Sequence, residues 1–312
     1  MGWKLLLSLL LLAQGMPARQ AEPLDIRHEG STLLKVNEEE MVYPMSGVPI
    51  MLEERMEKLM NEVAHKVEIP PVNAALNSAG GIIPERTGIM LDKRTFQELI
   101  YGYVYEGDLT AIDVPTRVVY PRVDSEVLSA IKVRRIGHYS TYFNSRNQNR
   151  SHNIDLAASA VNNVVVFPGE RFSFNAVVGK RTKEKGYRKA PVIVRGELYE
   201  DIGGGICQVS STLFNAADRA GLTIVERYSH SRRVPYVPAG RDATVSWYGP
   251  DFVFENPYNQ PILIRTFYGH GQVSIAICSS ELVELQPRQV PSASRRLPEE
   301  VKVDEANARN IQ

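Results

Sequence analysis

The residues best suited to covalent chemistry are concentrated in one stretch, Asp201-Ile202-Gly203-Gly204-Gly205-Ile206-Cys207-Gln208-Val209-Ser210-Ser211-Thr212. Three consecutive glycines let a backbone turn tightly and approach a ligand closely. After them, Ile206, Val209, Leu213, Ala216, Ala217 and Ala220 recur at helical spacing up to Gly221, so the pattern predicts a helix with Cys207 in its first turn. Unpaired amides and the helix dipole favour negative charge there, which draws a thiol toward a reactive thiolate. The same amides can hold an oxyanion during acyl transfer. The plainer alternative is a glycine turn feeding a core helix, with the thiol simply packed.

A thiolate needs a partner that takes up a proton and later returns it, and histidine is the usual one. His230 follows the strand-like run Leu222 to Tyr228, within Tyr228-Ser229-His230-Ser231-Arg232-Arg233. Asp242 comes later, in Gly240-Arg241-Asp242-Ala243-Thr244-Val245, at the start of another strand-like run. A cysteine at a helix start, then histidine and a polar orienter on later strands, is the chain order of papain-like thiol enzymes. His138 and His152 are rival bases, but neither has an orienting carboxylate on a following strand; Asp155 is the closest. Asp242 has a plainer reading as a turn cap. Arg227, Arg232, Arg233 and Arg241 crowd the same stretch. Their forked guanidinium groups suit carboxylates, and a solvated basic face is an equal reading.

Other chemistries find less support. The sequence has no His-Glu-x-x-His and no Cys-x-x-Cys, so no metal or other cofactor is expected. Ser129-Ala130-Ile131-Lys132 matches a Ser-x-x-Lys pattern but lacks an accompanying Lys-Thr-Gly, and it is discarded. Basic and acidic residues balance at 36 each, which gives no overall positive surface for a nucleic-acid partner. The chain has two cysteines, and the second, Cys278, ends the alternating run Val273-Ser274-Ile275-Ala276-Ile277-Cys278, where it reads as a small buried hydrophobe. A Cys207–Cys278 disulfide is the lesser reading.

The elements that must position these groups read as α+β in two domains. Residues 1–21 begin with Lys4 and the short apolar run Leu5 to Ala13, the pattern of a secretory signal peptide. That run is about 9 residues, too short to span a bilayer of roughly 30 Å, and no later stretch reaches that length. The mature chain is therefore expected outside the cytoplasmic membrane, without stable insertion in it. A first unit, about 37–131, holds a helix near 48–68 ended by Pro70-Pro71, a second helix capped by Asp92 and closed by Gly107, an alternating run at 109–120, and a short helix capped by Asp124. It offers few catalytic groups and reads as a binding or spacer module. The second unit, about 137–280, combines a helix capped by Asn153, the Cys207 helix, and strands near 164–167, 171–174, 222–228, 233–237, 243–247, 252–254, 262–267 and 272–278. A mainly antiparallel sheet carrying a cysteine-bearing helix is expected. Residues from 286 onward are rich in Pro, Ser, Arg and Glu and read as a disordered tail.

Several motifs together resemble the VanW family: Ser140-Thr141-Tyr142-Phe143, Arg150-Ser151-His152-Asn153-Ile154, Pro168-Gly169-Glu170-Arg171-Phe172-Ser173-Phe174-Asn175, Gly186-Tyr187, the Gly203-to-Leu213 stretch, His230-Ser231 and the Gly240-to-Val245 stretch. The region before them resembles, less sharply, the YoaR-like peptidoglycan-binding domain, through Pro71-Val72-Asn73-Ala74 and the Gly80-to-Gly88 turn. The resemblance implies an exported cell-wall protein acting on peptidoglycan stem peptides, with Cys207 as the nucleophile of an L,D-transpeptidase-like reaction. His230 and Asp242 match positions of the family pattern, and their order suggests base and orienter. Gly204, Gly205, Gln208, Ser210, Arg232 and Arg241 are the expected substrate contacts. A non-catalytic wall-binding accessory protein and a cysteine endopeptidase or amidase are the alternatives.

Overall fold

The computed structural model describes residues 22–43, 49–107, 109–194 and 197–297, without the side chains of residues 193–194 and 197–198. The expected signal peptide lies outside the described residues. The chain is a mixed α+β structure that divides into two compact units. One takes the described residues up to Asn73 together with Glu85–Arg122, and the other takes Ala74–Pro84 with the residues from Val123 onward.

The first unit is built on a three-stranded sheet in the order Ser31–Val36, Leu24–His28, Ala111–Asp113. The first pair is antiparallel and the second parallel. Helix Glu53–Val67 buries Met56, Leu59 and Val63, the three- and four-residue spacing seen in its sequence. Helix Lys93–Glu106 is capped as expected: the Asp92 side chain accepts from the Thr95 amide, and Gly107 closes it at φ 66°. Its Tyr103 is fully buried, with the hydroxyl reaching the carbonyl oxygens of Glu22 (3.0 Å) and Val36 (3.2 Å).

The second unit centres on a four-stranded antiparallel sheet ordered Arg134–Tyr142, Gln272–Ser279, Ile262–Gly269, Val165–Val166. Side chains alternate between its faces. Ile262, Ile264, Ile275 and Ile277 enter the main core with helices Gln148–Val161 and Ile206–Arg219, while Leu263 and Cys278 pack with Leu128 and Ile131 in a separate cluster. Cys278 therefore lies across the sheet from the core that Cys207 packs against, and both cysteines are free. A three-stranded antiparallel sheet (Arg171–Ser173, Val253–Glu255, Thr223–Glu226) and the hairpin Lys189–Val194/Glu197–Ile202 complete the unit.

Four local expectations change. Helix Gln148–Val161 is capped by Asn147, whose side chain accepts from the Arg150 amide at 3.1 Å. Asn153 is buried inside that helix, donating to the carbonyls of Arg188 (2.8 Å) and Gly204 (3.0 Å) and accepting from the Arg188 amide. Residues 233–237 and 243–247 form no strands; in the second run Ala243 is bonded to the helix serines, and the Thr244 and Ser246 amides donate to the loop carbonyls of Tyr228 and Pro250 instead of to a ladder. The hairpin Ala75–Leu76/Ile82–Ile83 and helix Ser125–Ile131, expected with the first unit, belong to the second, where Ala74, Leu76, Leu128 and Ile131 share a core with Leu263. Finally, residues 286–297 are held in part. Val290 is buried, Arg219 donates to its carbonyl, and the Tyr139 hydroxyl donates to Pro291 O at 2.9 Å. These bonds use backbone acceptors, which a composition rich in proline and serine does not reveal.

Candidate active site

Glycines set the entry to the Cys207 helix. A Cβ on Gly204 would fall 2.4 Å from Ala190 O, and Gly205 sits at φ 107°, where an L side chain is strained. The chain thus turns tightly into Ile206–Arg219, with Cys207 as its second residue. No side chain caps this helix, so the positive end of its dipole falls at the sulfur.

The opposite wall of the site is an irregular segment, 241–245, pinned to the polar face of the same helix. Ser210 Oγ donates to Ala243 O at 2.6 Å, and the Ala243 amide donates to Ser211 Oγ at 2.9 Å. Asn215 donates to Arg241 O at 2.7 Å. Arg241 donates back to Asn215 Oδ1 (2.8 Å), pairs with Asp218 (2.7 Å) and lies over the Phe214 ring. Arg227 also lies over Phe214 and donates to the Asp242 carbonyl at 2.6 Å. Ser210, Ser211 and Asn215 on the helix thereby take the place of a neighbouring strand. Replacing Ser211 by alanine leaves the buried Ala243 amide without its acceptor, so a loss of about 1–3 kcal/mol in chemical denaturation is expected, with slower turnover from a displaced Asp242.

That pinned segment delivers Asp242 to His230. Oδ2 of Asp242 accepts both the His230 ring Nδ1 (2.7 Å) and the His230 backbone amide (2.6 Å), and both side chains are almost fully buried. With Nδ1 committed, Nε2 is the nitrogen left for the sulfur. Burial pushes the Asp242 carboxyl up, but the two bonds from His230 outweigh it and hold it below the usual carboxylate value.

Cys207 is half-buried. As a thiol it donates to Val245 O at 3.6 Å, with the Thr244 hydroxyl 3.8 Å away. Burial pushes this thiol up; the hydrogen bond and charge of His230, with help from Thr244, more than reverse that and hold it below its ordinary value. His230 shows the complementary effect. Burial lowers it, yet Cys207 first and Asp242 second raise it above the ordinary histidine value. The pair is thus biased toward thiolate and imidazolium, and its two titrations belong to the pair. Cys278, by contrast, is pushed up by burial.

Three expected groups therefore meet: Cys207, His230 and Asp242. The rival histidines do not join them. His138 sits on the central sheet, beside Ser140 at 3.4 Å, and His152 contacts Gly186 O at 3.0 Å. Of the expected substrate contacts, Gln208 is fully buried, donating to Thr141 and Tyr142 O and accepting from Arg150, and Ser210 is equally committed. Gly204 and Gly205 shape the turn, and Arg241 is bound to Asp218. Arg232 remains half-buried on the loop beyond His230. Gln208, Ser210 and Arg241 are thus committed to holding the site together.

Two further residues approach the site without any mark in the local sequence. Tyr236 is buried with its hydroxyl near Ser211 but without an aligned hydrogen bond, and burial, then the charge of Cys207, push its phenol strongly up. Arg181 is the other, and its only sequence clue is a glycine, Gly203, against which it packs. Among the described residues no group of acidic, histidine or cysteine side chains could hold a metal ion, and no helix is long and apolar enough to cross a membrane.

Comparison with known proteins agrees with the motifs. A family model described as VanW like protein matches residues 149–278, which include Cys207, His230 and Asp242. The uncharacterized protein YoaR of Bacillus subtilis (strain 168) is 50% identical over 301 residues, covering 96% of this chain and 99% of its own. The vancomycin B-type resistance protein VanW of Enterococcus faecalis (strain ATCC 700802 / V583) is 35% identical over 104 residues, covering 32% of this chain and 38% of its own. No solved structure matches the chain. The chain belongs to the VanW family, with the matched domain in its C-terminal half and YoaR as a relative along nearly its whole length.

Proposed function

We propose that this chain is an exported cell-wall protein that acts on peptidoglycan stem peptides by cysteine acyl transfer, cross-linking them in the manner of an L,D-transpeptidase. The observation that carries the reading is the sulfur–imidazole–carboxylate chain, with Asp242 bonded at 2.7 Å to a histidine that in turn lowers the Cys207 thiol. In the first half-reaction the thiolate attacks a stem-peptide carbonyl carbon. A C–S bond forms, the C–N bond breaks, and imidazolium gives its proton to the departing amine. In the second, an amine of another stem attacks the thioester, imidazole takes its proton, the C–S bond breaks and the thiolate returns. The start of the helix lies beside the carbonyl oxygen and supports the negative charge that develops there.

The name of the Enterococcus faecalis relative ties that protein to vancomycin resistance, which fits a cell-wall setting. Export rests on the apolar run behind Lys4. The first unit, with few groups suited to catalysis, serves in this reading to hold the wall polymer.

The test is incubation of the purified chain with tetrapeptide muropeptides, followed by separation and mass analysis of products. Cross-linked dimers that require Cys207 support the reading. Shortened fragments without dimers reassign the site to an endopeptidase or amidase. Muropeptides left unchanged while still bound make the protein a wall-binding accessory instead.

A further inference from the structure

Arg181 carries a buried guanidinium that the acyl-transfer chemistry does not use. Its stem packs on the glycine turn ahead of the cysteine helix: a Cβ on Gly203 would stand 3.3 Å from Arg181 Cβ and 3.4 Å from its Cγ. The guanidinium lies 5.8 Å from the centre of the Phe174 ring. Both Nη1 and Nη2 are buried, and neither has a hydrogen-bond partner among the described residues. A guanidinium stays protonated in proteins, so its burial without a partner is costly and calls for an anion that completes it. Burial depresses its basicity, and the influence that most opposes this is the negative charge of Cys207, ahead of Tyr187 and Asp251. Gly203, on which the Arg181 stem packs, lies four residues before Cys207 in the turn that opens its helix, so the cation stands at the entry to the nucleophile.

Two parallel N–H donors match the two oxygens of a carboxylate, whereas a tetrahedral oxyanion offers one oxygen. On the acyl side of the scissile bond the backbone carbonyl is the atom under attack. A backbone carboxylate can come this close to the sulfur only from the leaving side, one residue beyond the bond. We propose that Arg181 binds the free C-terminal carboxylate of the leaving residue, so that the site takes donors whose scissile bond precedes a single terminal amino acid. This deepens the acyl-transfer reading and rests on it for the identity of the scissile bond. It makes the protein an end-acting enzyme that ignores bonds inside a chain.

The test uses the full chain and two tetrapeptide donors that differ only in their last group, acid or carboxamide. Equilibrium binding is measured by calorimetry on Cys207→Ala protein, and acyl-adduct formation by intact mass on protein with its cysteine. The acid is expected to bind about tenfold to a hundredfold more tightly than the amide. Arg181→Gln is expected to erase that difference by weakening acid binding alone, Arg181→Lys to restore part of it, and adduct formation to show the change in KM more than in kcat. Thermal unfolding of Arg181→Gln should occur no lower than in the parent, since a buried unpaired charge has been removed; a purely structural arginine would lower it. Equal binding of acid and amide, or a preference that survives Arg181→Gln, overturns the proposal. An Arg181-dependent acid preference without any adduct leaves the proposed anchor standing and overturns the acyl-transfer reading instead.

Discussion

Cys207→Ala protein is expected to form no covalent adduct with stem-peptide donors and to lose activity by a factor on the order of 10⁴ to 10⁶, the range seen when a covalent nucleophile is removed. No other group in the site can substitute. His230 is bonded to Asp242, Ser210 and Ser211 are bonded to backbone of the 241–245 segment, and Cys278 lies on the other side of the central sheet. The fold should survive, because Cys207 is half-buried at the edge of the core and contributes one small side chain to it. The measurement is intact-protein mass after incubation with donor, alongside far-ultraviolet circular dichroism of the variant. A folded variant that still yields cross-linked product would remove Cys207 from the mechanism.

Asp242→Asn should have the second-largest effect, about 10³- to 10⁴-fold in kcat, as expected when an orienting carboxylate is neutralised. Oδ2 of Asp242 accepts two N–H groups of the same residue, at 2.6 and 2.7 Å, and an amide that presents NH₂ at that position cannot accept them. The pH profile carries a second signature. In the parent protein the acid limb reports the lowered Cys207 thiol and the alkaline limb the raised His230 imidazolium, so activity occupies the window between them. Removing the carboxylate takes away one of the influences that raise His230, and the alkaline limb moves to lower pH. A less charged imidazole also supports the thiolate less, and the acid limb moves to higher pH. The window narrows from both sides. A rate–pH curve that drops uniformly, with both limbs in place, would show that Asp242 only holds the loop.

Helix signals in this sequence are legible because they are local. Asp92, Asp124 and Gly107 cap the helices they were expected to cap, and the apolar stripe from Ile206 to Ala217 is buried as its spacing indicates. The meeting of Cys207, His230 and Asp242 could be read from residue type and order, since a reactive thiol, an imidazole and a carboxylate have few other joint uses. What the local pattern hid was the identity of hydrogen-bond partners. Ala243 to Trp247 alternate like a strand, yet Ser210 and Ser211 take the bonds of Ala243 and Asn215 that of the Arg241 carbonyl, and a helix side chain leaves no trace in the partner's own sequence. The same reason explains Arg241. It looks like a carboxylate receptor for substrate, and it does bind a carboxylate, but that carboxylate is Asp218 of its own chain. Arg181 shows the converse case, a cation whose buried Nη1 and Nη2 have no hydrogen-bond partner among the described residues, which only tertiary packing can reveal.

The most direct test of the central claim, an ionised sulfur paired with an imidazole, is the rate of Cys207 alkylation by iodoacetamide as a function of pH, resolved by peptide mass. The half-maximal rate at Cys207 is predicted to fall below the ordinary thiol value of about 8.5 and to move up toward it in His230→Ala protein, while half-buried Cys278, whose thiol is pushed up, reacts slowly throughout. If Cys207 alkylates with an ordinary thiol's pH dependence, and His230→Ala leaves that dependence unchanged, the paired nucleophile does not exist and the acyl-transfer account is wrong.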